Sequence, residues 1–124
     1  MTLLLDTSVL VALIRQQGPA MKWISGQLRT PLAVSAATVL EIERGVQNDA
    51  DRVKAQAAMS VLLVIGMDEV IAARAGALLR RYAPSHGIDL PDAIIAATSL
   101  VTRTPLRTHN LRHFPMLDDA ERPF

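Results

Sequence analysis

Three short apolar runs, Leu3-Leu4-Leu5, Leu32-Ala33-Val34 and Val61 to Ile65, punctuate the chain. Runs without polar alternation read as strands buried on both faces. Longer stretches with apolar residues three and four apart lie between and after them, and these read as amphipathic helices. After the first strand the pattern predicts a helix from Val9 to Arg15, with Thr7 or Ser8 as its cap. Gln16-Gln17-Gly18-Pro19 is a break, and a second helix starts at Pro19 or Ala20 and stops before Thr30-Pro31. Met21, Ile24 and Leu28 share its apolar face, with Trp23 at the margin. Ser35 caps a helix from Ala36 to Gln47, in which Val39, Ile42 and Val46 form the stripe and Leu40 broadens it. Asn48-Asp49 separates it from a helix over Ala50 to Met59. The third strand ends at Gly66, and a helix runs from Met67 or Asp68 to about Tyr82, with Val70, Ile71, Ala75, Leu78 and Leu79 inward. Ala83 to Gly87 reads as a loop. Leu90-Pro91-Asp92 opens a mostly buried helix over Ala93 to Val101, since Pro is well placed in a first turn. Pro105 to Thr108 is a fourth strand, Asn110 caps a single turn over Leu111 to Phe114, and a polar tail follows Pro115.

Strands alternating with helices imply a parallel sheet covered on both faces. In such sheets ligands sit outside the carboxyl ends of the strands. A chain of 124 residues suits a single domain over 1–124 with one core. Aromatics make up only 3%, so the core is built from Ala, Val, Leu and Ile, and base stacking is a poor mode of recognition. The net charge is +1, which gives no global field. All of the basic residues except Lys22 and Lys54 are Arg, the side chain suited to phosphate. Without Cys, disulfides and thiolate metal sites are excluded. The chain opens directly on a strand and has no apolar run long enough to span a bilayer, so a cytoplasmic protein is expected.

Three acids then take equivalent places. Asp6 follows the first strand, Glu41 sits in the helix after the second, and Asp92 lies in the first turn of a largely apolar helix. Each has a plain explanation: a strand-end cap, a surface helix Glu, and a first-turn Asp favoured by the helix dipole. Their coincidence at one sheet edge is harder to explain plainly. A carboxylate cluster calls for a counter-charge, and hard oxygen ligands select Mg²⁺ or Mn²⁺. Gly45 falls one turn after Glu41 on the same flank. A Gly there lowers helix stability by roughly 1 kcal/mol against Ala, which suggests close approach to that face. Glu43 cannot share Glu41's face and is read as solvent-facing. Asp89 is read as the cap of the helix carrying Asp92.

Four pieces of the chain resemble the PIN-domain ribonucleases, and most closely the VapC toxins of type II toxin–antitoxin pairs. They are Leu4 to Val9, Ser35 through Glu41-Ile42-Glu43-Arg44-Gly45, Leu90 to Thr98, and Leu106 to Pro115, in the family's order. The resemblance implies a PIN-like three-layer α/β/α sandwich with a short, mainly parallel central sheet. It implies an endoribonuclease that uses Mg²⁺, or Mn²⁺, with Asp6 and Asp92 as metal ligands and Glu41 as a third acid that binds metal or orients water. The family's fourth acidic position falls on His113, a departure also found in toxins that look like this one. Asn110 matches a polar residue near the site, and Thr7 or Ser8 is implied to orient Asp6 or a bound water. The implied partners are a VapB-type antitoxin, an RNA substrate and a second copy of the chain, with the early helices as the dimer surface.

Two other functions fit parts of the pattern. His113 in an acid's place is compatible with a catalytically weak PIN fold that docks RNA or a partner. A phosphatase on a similar α/β frame would also use a carboxylate-bound metal. It ranks last, because no phosphate loop is present.

Overall fold

Four short strands, β1 (Leu3–Leu5), β2 (Leu32–Ser35), β3 (Leu63–Ile65) and β4 (Leu106–Arg107), form one sheet in the order β3-β2-β1-β4. The computed structural model describes residues 1–124. Every pairing in the sheet is parallel: Leu3 lies beside Leu32, Leu4 beside Leu106, and Val34 beside Val64. Successive strand side chains point to opposite faces. Leu4 therefore enters one core with Ala33, Leu106 and Phe114, while Leu3 and Leu5 enter another with Val9, Leu10 and Val34. That is why β1 carries no polar residue.

Six helices cover the two faces: α1 (Thr7–Ile14), α2 (Gly18–Ser25), α3 (Ala36–Gly45), α4 (Asp49–Met59), α5 (Glu69–His86) and α6 (Leu90–Thr102). Ile71, Ala75 and Leu78 of α5 and Ile95, Ala96 and Ala97 of α6 fill the Leu4 core. On the Leu5 side, α1 contributes Val9 and Leu10, and Trp23, Ile24, Ala58 and Met59 close over them from α2 and α4. The layered α/β/α arrangement expected of the chain is present, with a wholly parallel sheet.

Several boundaries differ from the pattern, each for a local reason. α1 starts two residues early because Asp6, not Thr7 or Ser8, is its N-cap: the Asp6 backbone is extended and its side chain accepts the Thr7 N–H. α2 stops at Ser25, so Leu28 stands 90% exposed and the small Ala20 is the buried anchor. α3 ends at Gly45, two residues short of Gln47, while Asn48 caps α4 by accepting the Asp51 N–H. The outer strand β3 is shorter than its apolar run, and Leu63 and Val64 on it are exposed. Val70 points outward instead of inward.

The expected loop at Ala83 to Gly87 is instead the last turn of α5, which runs through Pro84. Pro removes one helical N–H, but buried Ile88 just beyond and the packing of Tyr82 and Ala83 hold the turn against the core. Gly87 then closes the helix at φ 63°, donating its N–H to the Ala83 carbonyl. Leu111–His113 is a 3-10 turn, and the Asn110 side chain does not cap it. The tail is not simply solvated: Leu117 is buried, and the Thr108 N–H donates to the Glu121 carbonyl beside β4. Phe124 packs against Trp23 and His109, with ring centroids 6.0 and 4.6 Å away.

Candidate active site

The strand ends open onto a cavity of about 470 Å³, and Asp6, Glu41 and Asp92 all line it. Three separate elements bring them there: the β1–α1 junction, the middle of α3 and the first turn of α6.

Asp6 is the most enclosed of the three, at 4% exposure. A buried carboxylate needs hydrogen-bond donors to remain charged. Its Oδ1 accepts the Thr7 N–H at 2.8 Å. Its Oδ2 accepts hydroxyl bonds from Thr108 at 2.6 Å and Ser8 at 3.1 Å. The cap is thus also a rigid mount, because the helix that Asp6 starts fixes the carboxylate it presents. Ser8 Oγ in turn accepts the His109 N–H at 3.4 Å, which ties the segment after β4 to the start of α1.

Glu41 is positioned by Thr7. The Thr7 hydroxyl donates to Glu41 Oε1 at 2.7 Å and lies 3.0 Å from the hydroxyl of buried Thr38, one turn earlier on α3. Thr7 therefore serves Asp6 through its backbone and Glu41 through its side chain.

Asp92 belongs to a reciprocal cap. Asp89 Oδ1 accepts the Asp92 N–H at 3.0 Å, and Asp92 Oδ2 accepts the Asp89 N–H at 3.2 Å. Burial pushes the Asp92 carboxyl up from 3.8 to about 6. The Asp89 N–H opposes this rise, the Asp89 side chain and its charge add to it, and His113 offsets part of it. His113 Nδ1 lies 3.4 Å from Asp92 Oδ2, so the residue in the expected acid position sits against the carboxylate instead of extending the acid cluster. Asn110 is at the cavity's exposed rim, and its N–H donates to Thr108 Oγ1 at 2.9 Å.

Sequence reasoning missed Thr108, which makes the shortest bond to Asp6. The signal was a hydroxyl at the end of a strand adjacent to β1. Thr38 was also missed, and Asp89 is both the expected cap and a wall of the cavity. Glu43 is exposed as expected, but it is clamped by Arg52 Nη1 at 2.6 and 2.7 Å.

The donor set fits a hard divalent cation. It offers carboxylate oxygens, and neither Asp6 nor Glu41 is in an ion pair with Lys or Arg. The partly desolvated Asp92 lacks a full counter-charge. No three acid or imidazole side chains lie close enough to grip one ion directly. That suits Mg²⁺, which commonly takes one or two carboxylates and keeps several waters.

The class of the protein follows from this fold and edge site together with its relatives. The chain belongs to the PIN domain family, whose match spans residues 3–118. It is 38% identical to Ribonuclease VapC10 of Mycobacterium tuberculosis over 124 residues, covering 98% of this chain and 92% of that protein. It is 33% identical to Ribonuclease VapC19 of the same species, covering 98% of each. A chain of a toxin–antitoxin complex from Klebsiella pneumoniae superposes with a TM-score of 0.81 at 27% identity, covering 98% of both chains.

Proposed function

We propose that this chain is the toxin of a type II toxin–antitoxin pair and a Mg²⁺-dependent endoribonuclease that hydrolyses RNA phosphodiester bonds. The observation that carries this reading is the convergence of Asp6, Glu41 and Asp92 on one cavity from three distant parts of the chain. The curated relatives are named ribonucleases, and the Klebsiella structure is a toxin–antitoxin complex. By the same likeness a VapB-type antitoxin is the partner. A homodimer is also part of the reading, with the apolar faces of the early helices as its surface, where Met21, Leu40 and Val53 are exposed. The β3 edge and the start of α5 expose Leu63, Val64, Met67 and Val70 as well.

Asp6 and Asp92 would hold the cation, which would supply positive charge to the phosphate oxygens and acidify water. Glu41, fixed by Thr7, orients the attacking water and accepts its proton. Thr108 and Ser8 keep Asp6 aimed at the cavity. His113 holds Asp92 in place, and Asn110 offers an amide at the rim to the RNA backbone. No side chain is needed as a nucleophile.

Incubating the purified protein with labelled RNA tests the reading. Cleavage is expected with Mg²⁺ or Mn²⁺ and not in EDTA, and expression alone should arrest growth unless Asp92→Asn is present. A second reading, an RNA- or partner-docking PIN fold, rests on His113 standing in the place of the fourth acid, 3.4 Å from Asp92. Tight RNA binding in EDTA without cleavage after metal is added would establish that reading instead.

Thr108→Val removes the hydroxyl from Asp6 and leaves the shape of the buried site nearly unchanged. Loss of a partner that orients a metal ligand typically lowers affinity or activity about 10–100-fold. Cleavage should fall in that range, read as an increase in the Mn²⁺ concentration giving half-maximal rate. An unchanged metal requirement would remove Thr108 from the site.

The raised Asp92 carboxyl sets a pH dependence. Between about pH 4 and 6 the folded protein retains a proton that the unfolded chain has released. This contribution to stability is complete below about pH 4 and is lost as pH rises through about 6. A divalent cation competes with that proton. Mn²⁺ should therefore raise the thermal midpoint more at pH 7 than at pH 5, and equal shifts would contradict a role for Asp92 in holding it.

A further inference from the structure

Beside the acidic cavity lies a second cleft of about 430 Å³ between α1, α3 and α4. Thr7, Val11, Arg15 and Glu41 line both, so the hydrogen-bonded Thr7–Glu41 pair is a shared wall. The floor of the second cleft is apolar, made by Val11, Ile14, Ile42 and Val46. Around it stand Arg15, Arg44 and Lys54, all exposed. None of the three is in an ion pair, whereas nearby Arg52 is neutralised by Glu43. Two carboxylates, Glu41 and Asp51, also line the cleft. Each accepts one hydrogen bond from a neutral donor, the Thr7 hydroxyl and the Gln47 N–H at 3.2 Å, which does not cancel its charge, so the three cations outnumber them by one. Gly45 opens onto the same space, and a Cβ built there meets nothing within 4 Å.

We infer that this cleft is a subsite for the nucleotide next to the scissile phosphate, its base on the aliphatic floor and its own phosphate on Arg15, Arg44 and Lys54. The inference rests on the ribonuclease reading and extends it from the bond broken to the strand on one side of that bond. Adjacent phosphates would meet opposite surroundings, one facing carboxylates and the next facing free cations. An apolar floor ringed by cations is complementary to a base and its phosphate, and the volume lies within the usual range for small-molecule sites, about 300–1,000 Å³. Gly45 ends α3 in open space, so the close approach expected at that flank is not found.

The test is fluorescence anisotropy of a labelled single-stranded oligoribonucleotide in EDTA, where binding is read apart from cleavage. Arg44→Ala/Lys54→Ala should weaken binding about tenfold and flatten the dependence of log K on log salt by ~0.7 for each phosphate no longer neutralised. Gly45→Phe adds a ring at a position where a Cβ meets nothing within 4 Å, and it should weaken binding similarly while leaving the salt slope unchanged. Wild-type affinity and slope in both variants would overturn the subsite. It would also be overturned if the variants bind RNA normally yet lose a co-expressed antitoxin, since the cleft would then be a protein-docking surface. Cleavage by the wild-type protein with Mg²⁺ is scored separately, so failure of the ribonuclease reading and failure of the subsite give different results.

Discussion

Asp6→Asn is expected to lower RNA cleavage by about 100-fold or more and to leave the fold intact. Asn is as good an N-cap as Asp, so the start of α1 is retained. The hydroxyls of Thr108 and Ser8 can rotate to meet an amide. What disappears is the charge. A metal ion stabilises charge on a phosphate by several kcal/mol, and each ~1.4 kcal/mol is tenfold in rate. Losing one of the two carboxylates proposed to hold it should therefore remove at least two such factors. Single-turnover cleavage measures the loss, and a melting curve shows that the fold persists. Cleavage within threefold of wild type would place the chemistry elsewhere.

Leu4→Ala is expected to destabilise the protein by about 3–5 kcal/mol, the upper part of the range for Leu truncations in tight cores. Leu4 has no solvent exposure, sits in an inner strand and packs in the same core as Ala33 and Leu106 of the flanking strands and Phe114. Nothing on that side can collapse without moving the strand. Because Asp6 is two residues on, the cavity behind the strand should also loosen the site. For a chain of this length the midpoint should fall by roughly 10–20 °C. A fall of only a few degrees would mean that the core refills easily.

The sheet was legible because its inner strands are short apolar runs with nothing polar to confuse the period. β1, buried on both faces, is the clearest case. β3 was located but misjudged, since an apolar run does not say whether helices cover both faces of the strand. The end of α5 was lost because Pro84 is a strong local signal, and the buried Ile88 that overrides it acts through tertiary packing. The three acids were legible one by one, and their meeting followed from the parallel topology. What holds them was not. The Thr108–Asp6 bond joins residues 102 apart, and Thr7 turns its hydroxyl to Glu41 on another helix instead of to the neighbouring Asp6. Ordinary threonines gave no sign of either role.

The most direct test of the central claim is a crystal of the wild-type protein soaked in Mn²⁺ and examined by anomalous diffraction. One peak is predicted in the cavity lined by Asp6, Glu41 and Asp92, beside the Asp6 and Asp92 carboxylates. A soaked crystal with no peak there, or with manganese bound only elsewhere on the surface, would contradict it.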